Sequence, residues 1–468
     1  MDALDRIAPV REKYQQRNRH YYQEILRFFR YHVPEKSRIL EVGCGLGDLL
    51  AGLRPAYGVG IDISAAMIGR AQERHADLHF FQSDAEELKL PAGETFDYIL
   101  LSDVLGYFAD IQKVFQNLRA YAHPQTRIIV TQHNYLWHPL LMFAERIGLK
   151  MPQPRLNWLN EDDVQNLLQL EGYEVVKTGR KVLLPVYLPL LSSVCNRLLA
   201  NLPGLRKLGL VEFTIARMLE PQPRPNTATP SVSVIVPARN EAGNIEQAVQ
   251  RIPQMGNGTE IIFVEGHSTD ATAAEIHRVA AQYAGQLPIT TATQPGHGKA
   301  DAVRKGFALA RGEILMILDA DLTVPPEELP RFYAAIASGR GEFVNGSRLV
   351  YPPEKGAMRS LNMLGNKFFS LMFTYLLDQH IKDTLCGTKV LTRRNYQRLM
   401  AGRAYFGEFD PFGDFDLLFG AAKLDLKIVE VPVHYLARTY GDTNISRWRH
   451  GWLLLKMVLF AMRKIKFT

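Results

Sequence analysis

Cysteine is scarce in this sequence. Only three occur among 468 residues, and Cys44, Cys195 and Cys386 lie far apart. Because no two of them form a Cys-x-x-Cys pair, the sequence argues against a disulfide framework and against a cysteine-based zinc site. Such sparing use of cysteine is typical of proteins from a reducing compartment.

Long uncharged apolar runs are also missing. No stretch of about 20 apolar residues occurs, so we expect no membrane-spanning helix. The first 22 residues, MDALDRIAPVREKYQQRNRHYY, lack the apolar core of a signal peptide. Together with the cysteine usage, these absences predict a cytoplasmic protein.

Positive charge is concentrated at the C-terminal end. The net charge is +7 at pH 7, and the last 24 residues, ISRWRHGWLLLKMVLFAMRKIKFT, carry six Lys or Arg and no Asp or Glu. If this tail is helical, one stripe of it is apolar: Trp448, Trp452, Leu455, Leu459 and Met462. A basic stripe runs beside it: Arg449, Lys456 and Arg463. The pattern favours a helix lying in a membrane interface over a core helix with a solvated end.

Two further segments are candidates for membrane contact. One is NKFFSLMFTYLL (366–377). The other is the proline-broken run VLLPVYLPLLSSVCNRLLA (182–200), for which packing between domains is the alternative. Nucleic acid is disfavoured as a partner of the basic tail, because no recognition motif accompanies the charge.

The length of the chain predicts two domains, since one ordinary core rarely exceeds about 250–300 residues. Residues 219–230, LEPQPRPNTATP, contain four prolines and no apolar periodicity, which is typical of a linker. On either side, apolar β-branched runs alternate with amphipathic stretches, so we expect α/β domains with parallel strands. The predicted domains are 1–218 and 231–468.

The first domain begins with a strand, a glycine loop and a helix, RILEVGCGLGDLLAGL (38–53). Glycines in such a loop let the backbone approach a ligand, and the following helix offers free N–H groups. Acidic residues then close three successive predicted strands, at Asp62, Asp84 and near Asp103. A carboxylate at the second strand end can bind ribose hydroxyls, and Asp84 could reach an adenine amino group.

These motifs resemble those of class I S-adenosylmethionine-dependent methyltransferases. E-V-G-C-G-L-G is similar to their motif I, whereas a dinucleotide fold would have a third glycine where Asp48 stands. The resemblance implies a Rossmann-like sheet and the cofactor S-adenosylmethionine. It assigns cofactor binding to Glu41, Gly43, Gly45, Asp62 and Asp84.

The methyl acceptor site is indicated less directly. The sulfonium of the cofactor is already electrophilic, so the protein chiefly supplies orientation and a base. His133, in TQHNYLWHP, is a candidate base, and a strand-capping role is the alternative. Tyr21 and Tyr22 either close over the cofactor or pack in the core.

The second domain contains a strand that ends in two carboxylates, ILDADLT (317–323). On a regular strand Asp319 and Asp321 would face opposite ways, but where the strand breaks they can converge on one cation. Mg²⁺ and Mn²⁺ prefer such hard oxygen ligands and share them with phosphates. Upstream motifs come in order: VPARNE, VEGHSTD and GKADAVRKG.

This ordered set resembles inverting glycosyltransferases of the GT-A fold, and further the polyprenyl-phosphate sugar transferases such as dolichyl-phosphate mannose synthases. The resemblance implies a mixed sheet, a nucleotide-sugar donor and a divalent metal. It assigns donor binding to Pro237, Arg239, Glu241, Glu265, Lys299 and Asp319. Metal binding falls to Asp319, Asp321 and Thr323, which replaces a glutamine of the family. The acceptor phosphate is assigned to Arg348, Ser446 and Arg447.

The need for a base separates two classes of sugar acceptor. A hydroxyl acceptor must lose a proton, whereas a lipid phosphate is already an anion. The segment YFGEFDPFGDFDLLFGAAK contains candidate bases, Asp410, Asp414 and Asp416, so both acceptors stay open. In the lipid-phosphate family an acidic residue here more often positions the sugar or orders basic residues.

We therefore predict a bifunctional enzyme bound peripherally to the inner face of the membrane. One domain would methylate an acceptor of a glycan pathway, and the other would transfer a sugar to a polyprenyl phosphate. Two alternatives stay open. The sugar acceptor could be a soluble hydroxyl compound, for which Asp414 and Asp416 would be essential, or the first domain could bind S-adenosylmethionine without transferring methyl.

Overall fold

The computed structural model describes residues 2–91, 93–152, 159–219, 229–350, 360–406, 415–438, 440 and 447–467. The last two residues apart, contacts divide the chain into two compact units, Met1–Glu220 and Pro221–Lys466. The division falls inside the predicted linker, most of which lies outside the described residues.

Seven strands build the sheet of the first unit. They are β1 (Arg38–Val42), β2 (Tyr57–Asp62), β3 (His79–Gln82), β4 (Phe96–Ser102), β5 (Ala122–His133), β6 (Tyr173–Lys181) and β7 (Val211–Met218). In the order β3-β2-β1-β4-β5-β7-β6 the first five run parallel, while β7 is antiparallel to both its neighbours. The order reverses between β1 and β4, and such a reversal leaves a ligand crevice at the carboxyl ends of the strands.

Helices cover both faces of this sheet. They are α1 (Asp2–Arg17), α2 (Arg19–His32), α3 (Asp48–Gly52), α4 (Ala65–Arg74), α5 (Ile111–Leu118), α6 (His138–Arg146), α7 (Glu161–Leu170) and α8 (Leu191–Ser193). Successive strand residues point to opposite faces, so Leu100 packs with the core under α2 and α4, and Ile99 with the core under α5 and α7.

The second unit has a mixed seven-stranded sheet. Its strands are β8 (Val232–Ala238), β9 (Thr259–Glu265), β10 (Ile289–Thr293), β11 (Ile314–Ile317), β12 (Phe343–Ser347), β13 (Lys389–Thr392) and β14 (Ile428–Pro432). The order is β10-β9-β8-β11-β13-β12-β14, in which β13 is antiparallel to β11 and β12 and the other pairs are parallel. The expected fold class, two α/β units of which the second has a mixed sheet, is confirmed.

The helices of the second unit follow its strands. They are α9 (Ile245–Arg251), α10 (Thr272–Gln282), α11 (Lys299–Leu309), α12 (Leu329–Ala337), α13 (Ser360–Leu377), α14 (Arg393–Ala401), α15 (Phe415–Lys423) and α16 (Arg447–Ala461). Side chains of α9, α10 and α12 pack on the central strands to form one apolar core. Within the described ranges, no helix has both the length and the apolar character needed to cross a bilayer.

Candidate functional sites

The loop after β1 depends on glycine. Gly43 and Gly45 have φ of +74° and +55°, a region that favours glycine. A Cβ on Gly43 would also overlap the side chain of Val104. The backbone N–H of Gly45 donates to Asp62 Oδ2 at 2.9 Å, and that of Ser64 donates to Asp62 Oδ1 at 3.0 Å. The loop and the carboxylate at the end of β2 are therefore held as one piece.

Two further predicted carboxylates lie near this loop in the fold: Glu41 lies in β1, and Asp84 follows β3. Glu41 is only 3% exposed, and its Oε2 accepts a hydrogen bond from the Leu50 N–H at 3.1 Å. Burial raises the pKa of Glu41 to about 8. Asp84 is exposed and its Oδ1 accepts from the Glu86 N–H at 2.9 Å. Neither carboxylate can therefore be treated as a freely mobile group.

A cavity of about 760 Å³ opens above these groups. Four of the five predicted cofactor residues, Glu41, Gly43, Asp62 and Asp84, line it, whereas Gly45 is not among the lining residues. The size of the cavity suits a small-molecule ligand. The guanidinium of Arg11 also lines it and packs on Gly45, so that a Cβ there would lie 3.2 Å away.

The donor set fits S-adenosylmethionine. Arg11 Nε is buried and has no hydrogen-bond partner within the part of the chain that the structure describes. A ligand carboxylate would satisfy this atom, and the strand-end carboxylates would accept from ligand hydroxyl or amino groups. Burying a polar group unpaired is costly, so Arg11 favours a zwitterionic ligand here.

A hydrogen-bonded cluster lies on another wall of the cavity. The Tyr21 hydroxyl donates to Asp103 Oδ2 at 2.5 Å and lies 3.4 Å from His133 Nε2. Asp103 directly follows β4 and has φ of +53°, and the Thr131 hydroxyl donates to its Oδ1 at 3.4 Å. Tyr21, Tyr22, Asp103 and His133 all line the cavity. The structure thus brings together the two tyrosines and the histidine that the sequence singled out separately.

The electrostatics of this cluster keep His133 neutral. Burial lowers its pKa below the ordinary value, Asp103 opposes that shift and Lys150 adds to it. Burial and the neighbouring Asp103 carboxylate raise the pKa of Tyr21. A neutral imidazole beside a protonated phenol can accept a proton from a ligand at neutral pH.

The carboxylate pair of the second unit is neutralised by two cations from distant segments. Lys299 Nζ, at the start of α11, lies 2.5 Å from Asp319 Oδ1. Arg438 donates from one nitrogen to Asp321 Oδ2 at 2.6 Å and from another to Glu241 Oε1 at 2.9 Å. Burial acts to raise the pKa of Asp319, but Lys299, helped by Lys389 and Arg348, holds that pKa below its ordinary value.

Thr323 is hydrogen-bonded to Asp321 in this structure. Its hydroxyl donates to Asp321 Oδ1 at 2.8 Å, and its backbone N–H donates to the same oxygen at 3.1 Å. These bonds orient the Asp321 carboxylate at the point where the chain leaves β11. Metal ligation by Thr323 itself stays a prediction.

The pair suits a hard divalent cation that shares its shell with a ligand. Among the described residues, no group of three or more His, Cys, Asp or Glu side chains gathers at one point. A metal held by Asp319 and Asp321 would therefore complete its shell with phosphate oxygens and water, as Mg²⁺ often does. Arg438 would have to release Asp321 Oδ2 for that oxygen to become a ligand.

Gly387 lets the backbone pass close to this pair. A Cβ there would overlap both Asp319 Oδ2 and Lys299 Nζ. The same segment contains Lys389, which is fully buried and donates to Asn345 Oδ1 at 2.9 Å and to the Cys386 carbonyl at 2.8 Å. The segment thus fills the space behind Asp319 with backbone and with a buried cation.

Arg348 is held by a carboxylate that the sequence analysis did not single out. Its Nε and a second nitrogen donate to the two oxygens of Asp383 at 2.7 and 2.9 Å. Its guanidinium also lies over the Tyr435 ring, 5.0 Å from the centroid. The predicted contact of Arg348 with an acceptor phosphate stays a prediction.

The other predicted donor residues surround the loop after β8. Pro237 lies in that strand, Arg239 follows it and is exposed, and Glu241 is buried. Glu265 ends β9, where burial acts to raise its pKa but hydrogen bonds from Ser268 and the backbone of His267 hold that pKa low. The Ser268 N–H donates to Glu265 Oε1 at 2.6 Å. Glu265 is thus an ionised carboxylate facing inward.

The candidate bases are described only in part. Asp410, Asp414 and Ser446 lie outside the described residues, and Arg447 begins α16. Asp416 Oδ2 lies 3.3 Å from Arg403 Nε and 3.9 Å from an Arg304 nitrogen. Asp416 is therefore paired with basic side chains, and whether it acts as a base stays a prediction.

The tail helix α16 has a buried face and an exposed one. Leu454, Met457, Val458 and Ala461 are buried, as is Ile465 just beyond the helix. Trp452 and Leu459, from the predicted stripe, are 59% and 52% exposed, and Lys456 Nζ lies 5.9 Å from the Trp452 ring centroid. On α13, Phe368 and Leu371 are exposed as well. Both predicted interface segments therefore present large apolar side chains to solvent.

Both units match known families. Residues 12–178 match the model of a methyltransferase domain, and residues 233–399 match that of glycosyl transferase family 2. A solved S-adenosylmethionine-dependent methyltransferase of Thermotoga maritima, described as a possible histamine N-methyltransferase, is also similar. It shares 17% identity, covers 46% of this chain and 96% of its own, and has a TM-score of 0.37.

Two curated relatives are similar to about half of the chain. A dolichol-phosphate mannosyltransferase of Pyrococcus furiosus is 35% identical over 248 residues, which is 51% of this chain and 67% of the relative. A low-salt glycan biosynthesis hexosyltransferase of Haloferax volcanii is 26% identical over 234 residues, 49% of this chain and 53% of the relative.

The family models and the mannosyltransferase relative assign a family to each unit. The chain belongs to glycosyl transferase family 2 through its second unit and carries a methyltransferase domain in its first. Sequence reasoning missed Arg11, Asp103 as a partner of Tyr21, Gly387 and Arg438. A weak signal for Arg438 was present, because LARTYGDTNISRW places a basic residue just before the predicted phosphate segment.

Proposed function

We propose that the second unit transfers a sugar from a nucleotide-sugar to a polyprenyl phosphate. The observation that carries the proposal is the charged cluster just after β11. In it Asp319 is paired with Lys299, and Asp321 with Arg438. When the ligands bind, the carboxylates can pair with a metal and the cations with a diphosphate in place of one another. Each charge then keeps a partner of opposite sign, so the electrostatic cost is small. The mannosyltransferase relative, named for dolichol phosphate, supports the lipid acceptor.

The chemistry divides between leaving group and nucleophile. An oxygen of the acceptor phosphate attacks the anomeric carbon, the bond from that carbon to the donor diphosphate breaks, and the nucleoside diphosphate leaves with the electron pair. Lys299 and Arg438 are placed to meet the negative charge that grows on it. A divalent metal on Asp319 and Asp321 would add Lewis-acid stabilisation of that charge. No base is required, which accords with the engagement of Asp416 by arginines.

We propose further that the first unit transfers methyl from S-adenosylmethionine to a hydroxyl of a glycan-pathway acceptor. The acceptor oxygen attacks the methyl carbon, the sulfur–methyl bond breaks, and S-adenosylhomocysteine leaves. His133 takes the hydroxyl proton, Tyr21 and Asp103 position the imidazole, and Arg11 holds the cofactor. The lowered pKa of His133 supports this assignment, because a base must be unprotonated at working pH.

We place the enzyme on the inner membrane surface as a peripheral protein. The exposed Trp452 and Leu459 beside Lys456 support this placement, since tryptophan and lysine suit the headgroup region.

The test is incubation of the full chain with labelled nucleotide-sugars and Mg²⁺ or Mn²⁺. One arm supplies polyprenyl phosphate and the other a soluble hydroxyl acceptor. Label entering the lipid, and its loss in Asp319→Asn, support the proposal. Label entering only the soluble acceptor overturns the lipid assignment.

Methyl transfer is tested by repeating the incubation with labelled S-adenosylmethionine and analysing products by mass spectrometry. The proposal predicts a methylated glycan intermediate that disappears in His133→Ala. Cofactor binding by calorimetry without any methylated product would instead make the first unit a sensor or scaffold.

A further inference from the structure

The first unit exposes a broad apolar surface formed by residues 135–149 and 186–208. We call this surface the apolar rim. Its exposed side chains include Leu136, Leu140, Phe143, Tyr187, Leu190 and Leu198. Leu190 is 86% exposed and Phe143 59%. Soluble proteins rarely leave so many large apolar groups together in water unless the patch binds something.

The two segments of the apolar rim are joined into one surface. The Trp137 indole N–H donates to the Leu208 carbonyl at 2.8 Å. The Asn134 side-chain amide donates to the carbonyls of Lys207 and Gly209 at 3.1 and 2.8 Å. These bonds tie the start of the first segment to the end of the second, and residues of both segments line the same cavity.

The apolar rim borders the cavity that holds His133. Leu141 and Leu149 of the first segment and Val186 of the second line the cavity. Arg17 and Asn18, at the junction of α1 and α2, donate to the carbonyls of Gly148 and Leu149 at 2.7 and 3.3 Å. A molecule resting on the rim would therefore stand at the cavity where methyl transfer is proposed.

The charges of the rim select its occupant. Its two segments, 135–149 and 186–208, contain four cations, Arg146, Arg197, Arg206 and Lys207, and one carboxylate, Glu145. Glu145 is paired with Lys150. Mixed aromatic and aliphatic side chains with a net positive charge match the interface of an anionic bilayer.

We propose that the apolar rim docks on an anionic phospholipid bilayer, so that the first unit takes a lipid-linked sugar from the membrane as its methyl acceptor. This inference rests on the proposed methyl transfer by the first unit. A hydroxyl of the lipid-linked sugar attacks the methyl carbon, the sulfur–methyl bond breaks, and His133 takes the proton. A product of the second unit has the required chemistry.

A fluorescent label at the rim tests docking directly. The full chain carries Leu190→Cys and Cys195→Ser, and the remaining Cys44 and Cys386 are buried. The chain is labelled with an environment-sensitive dye and mixed with vesicles of phosphatidylcholine and phosphatidylglycerol, with or without a lipid-borne quencher. The matched control carries the same dye at Glu87→Cys, an exposed position of the same unit.

Docking predicts an emission rise of severalfold at position 190 that the lipid-borne quencher reverses, and no change at position 87. Emission that stays constant while the chain sediments with the vesicles overturns the proposal, because the tail alone would then bind. Emission that rises without lipid quenching assigns the rim to a protein contact and overturns it as well.

A second measurement separates this inference from methyl transfer itself. The double variant Leu140→Asp with Phe143→Asp should slow methyl transfer to the lipid-linked sugar at least tenfold when that acceptor is in vesicles. The rate of methyl transfer to the same acceptor in detergent micelles should be unchanged. Leu170→Asp, at a 62% exposed position away from the rim, is the control. Equal losses in both settings overturn the docking role. Absence of S-adenosylmethionine binding in the unaltered chain would instead defeat the proposed function.

Discussion

Arg438 lies 117 residues after Asp321, yet its guanidinium donates to the Asp321 carboxylate at 2.6 Å. A second nitrogen of the same guanidinium donates to Glu241 at 2.9 Å. One cation thus joins the loop after β8, the end of β11 and the segment after β14. The ion pair occupies a carboxylate oxygen that a metal would need.

Arg438→Met should therefore strengthen metal binding in the absence of nucleotide. Without the competing guanidinium, we expect the Kd for Mn²⁺ to fall about tenfold, or about 1.4 kcal/mol. Calorimetry checks this, and Arg438→Lys, which keeps the charge but loses the fork, should fall between the two. A weaker affinity in Arg438→Met would mean that Arg438 orders the metal ligands.

Gly387→Ala should disable sugar transfer while the second unit stays folded. The added methyl would overlap Asp319 Oδ2 and Lys299 Nζ, so the ion pair must open. We expect at least a hundredfold loss in kcat/KM, and an acid limb of activity displaced to higher pH because Lys299 no longer holds the pKa of Asp319 down. Gly402→Ala, where a Cβ meets only ordinary contacts, is the control. Normal activity in Gly387→Ala would show that the pair tolerates displacement.

Glu41 should make the stability of the first unit depend on pH. Its pKa rises from 4.5 to about 8 on folding, so the folded unit holds a proton that the unfolded chain releases. The stabilisation is present in full below about pH 4.5 and is lost as pH rises to about 8, a change of roughly 5 kcal/mol.

Glu41→Gln should therefore flatten the fall in Tm of the first unit between pH 5 and 8 in calorimetric scans. Glu87→Gln, at an exposed position, should leave it unchanged. If both variants behave as the unaltered chain does, Glu41 is ionised in the folded unit over that range.

His133 should set the acid limb of methyl transfer. Because burial lowers its pKa, activity should rise with pH through a midpoint below 6.5. His133→Ala should slow transfer by about 10²–10⁴-fold and remove that limb.

Two charge variants should move the limb in opposite directions. Asp103 raises the pKa of His133 and Lys150 lowers it, so Asp103→Asn should shift the midpoint to lower pH and Lys150→Met to higher pH. Rate–pH profiles check both signs. Shifts in the same direction would exclude His133 as the titrating group.

Local sequence motifs identified many residues of the candidate cofactor site. Glu41, Gly43, Asp62 and Asp84 line one cavity because each stands at the carboxyl end of a parallel strand, and such ends meet at one edge of a sheet. The strand predicted to end at Asp62 is Tyr57–Asp62 in the structure. Hydrophobic periodicity and turn residues involve only neighbouring positions, so they can be recognised in the sequence.

Contacts between distant segments were not readable in that way. The partnership of Tyr21, Asp103 and His133 depends on how α2 packs across β4 and β5. The hydrogen bond from the Thr323 hydroxyl to Asp321 was not predicted either, because rotamer and loop path decide where a hydroxyl points; metal ligation by Thr323 stays a prediction. The proline-broken run 182–200 left membrane contact and domain packing open, and which of its side chains are exposed could be read only from the structure.

The sequence by itself determined the two families, the order of the strands that carry acidic ends, and the identity of the carboxylate pair. These depend on residue type and spacing along a few neighbouring turns. Tertiary structure alone decided that Arg438 pairs with Asp321, that Tyr21 contacts Asp103 and which apolar side chains stay exposed. Those outcomes depend on contacts between segments far apart in the chain, 82 residues for Tyr21 and Asp103 and 117 for Asp321 and Arg438. There, sheet order rather than local pattern determines which side chains meet.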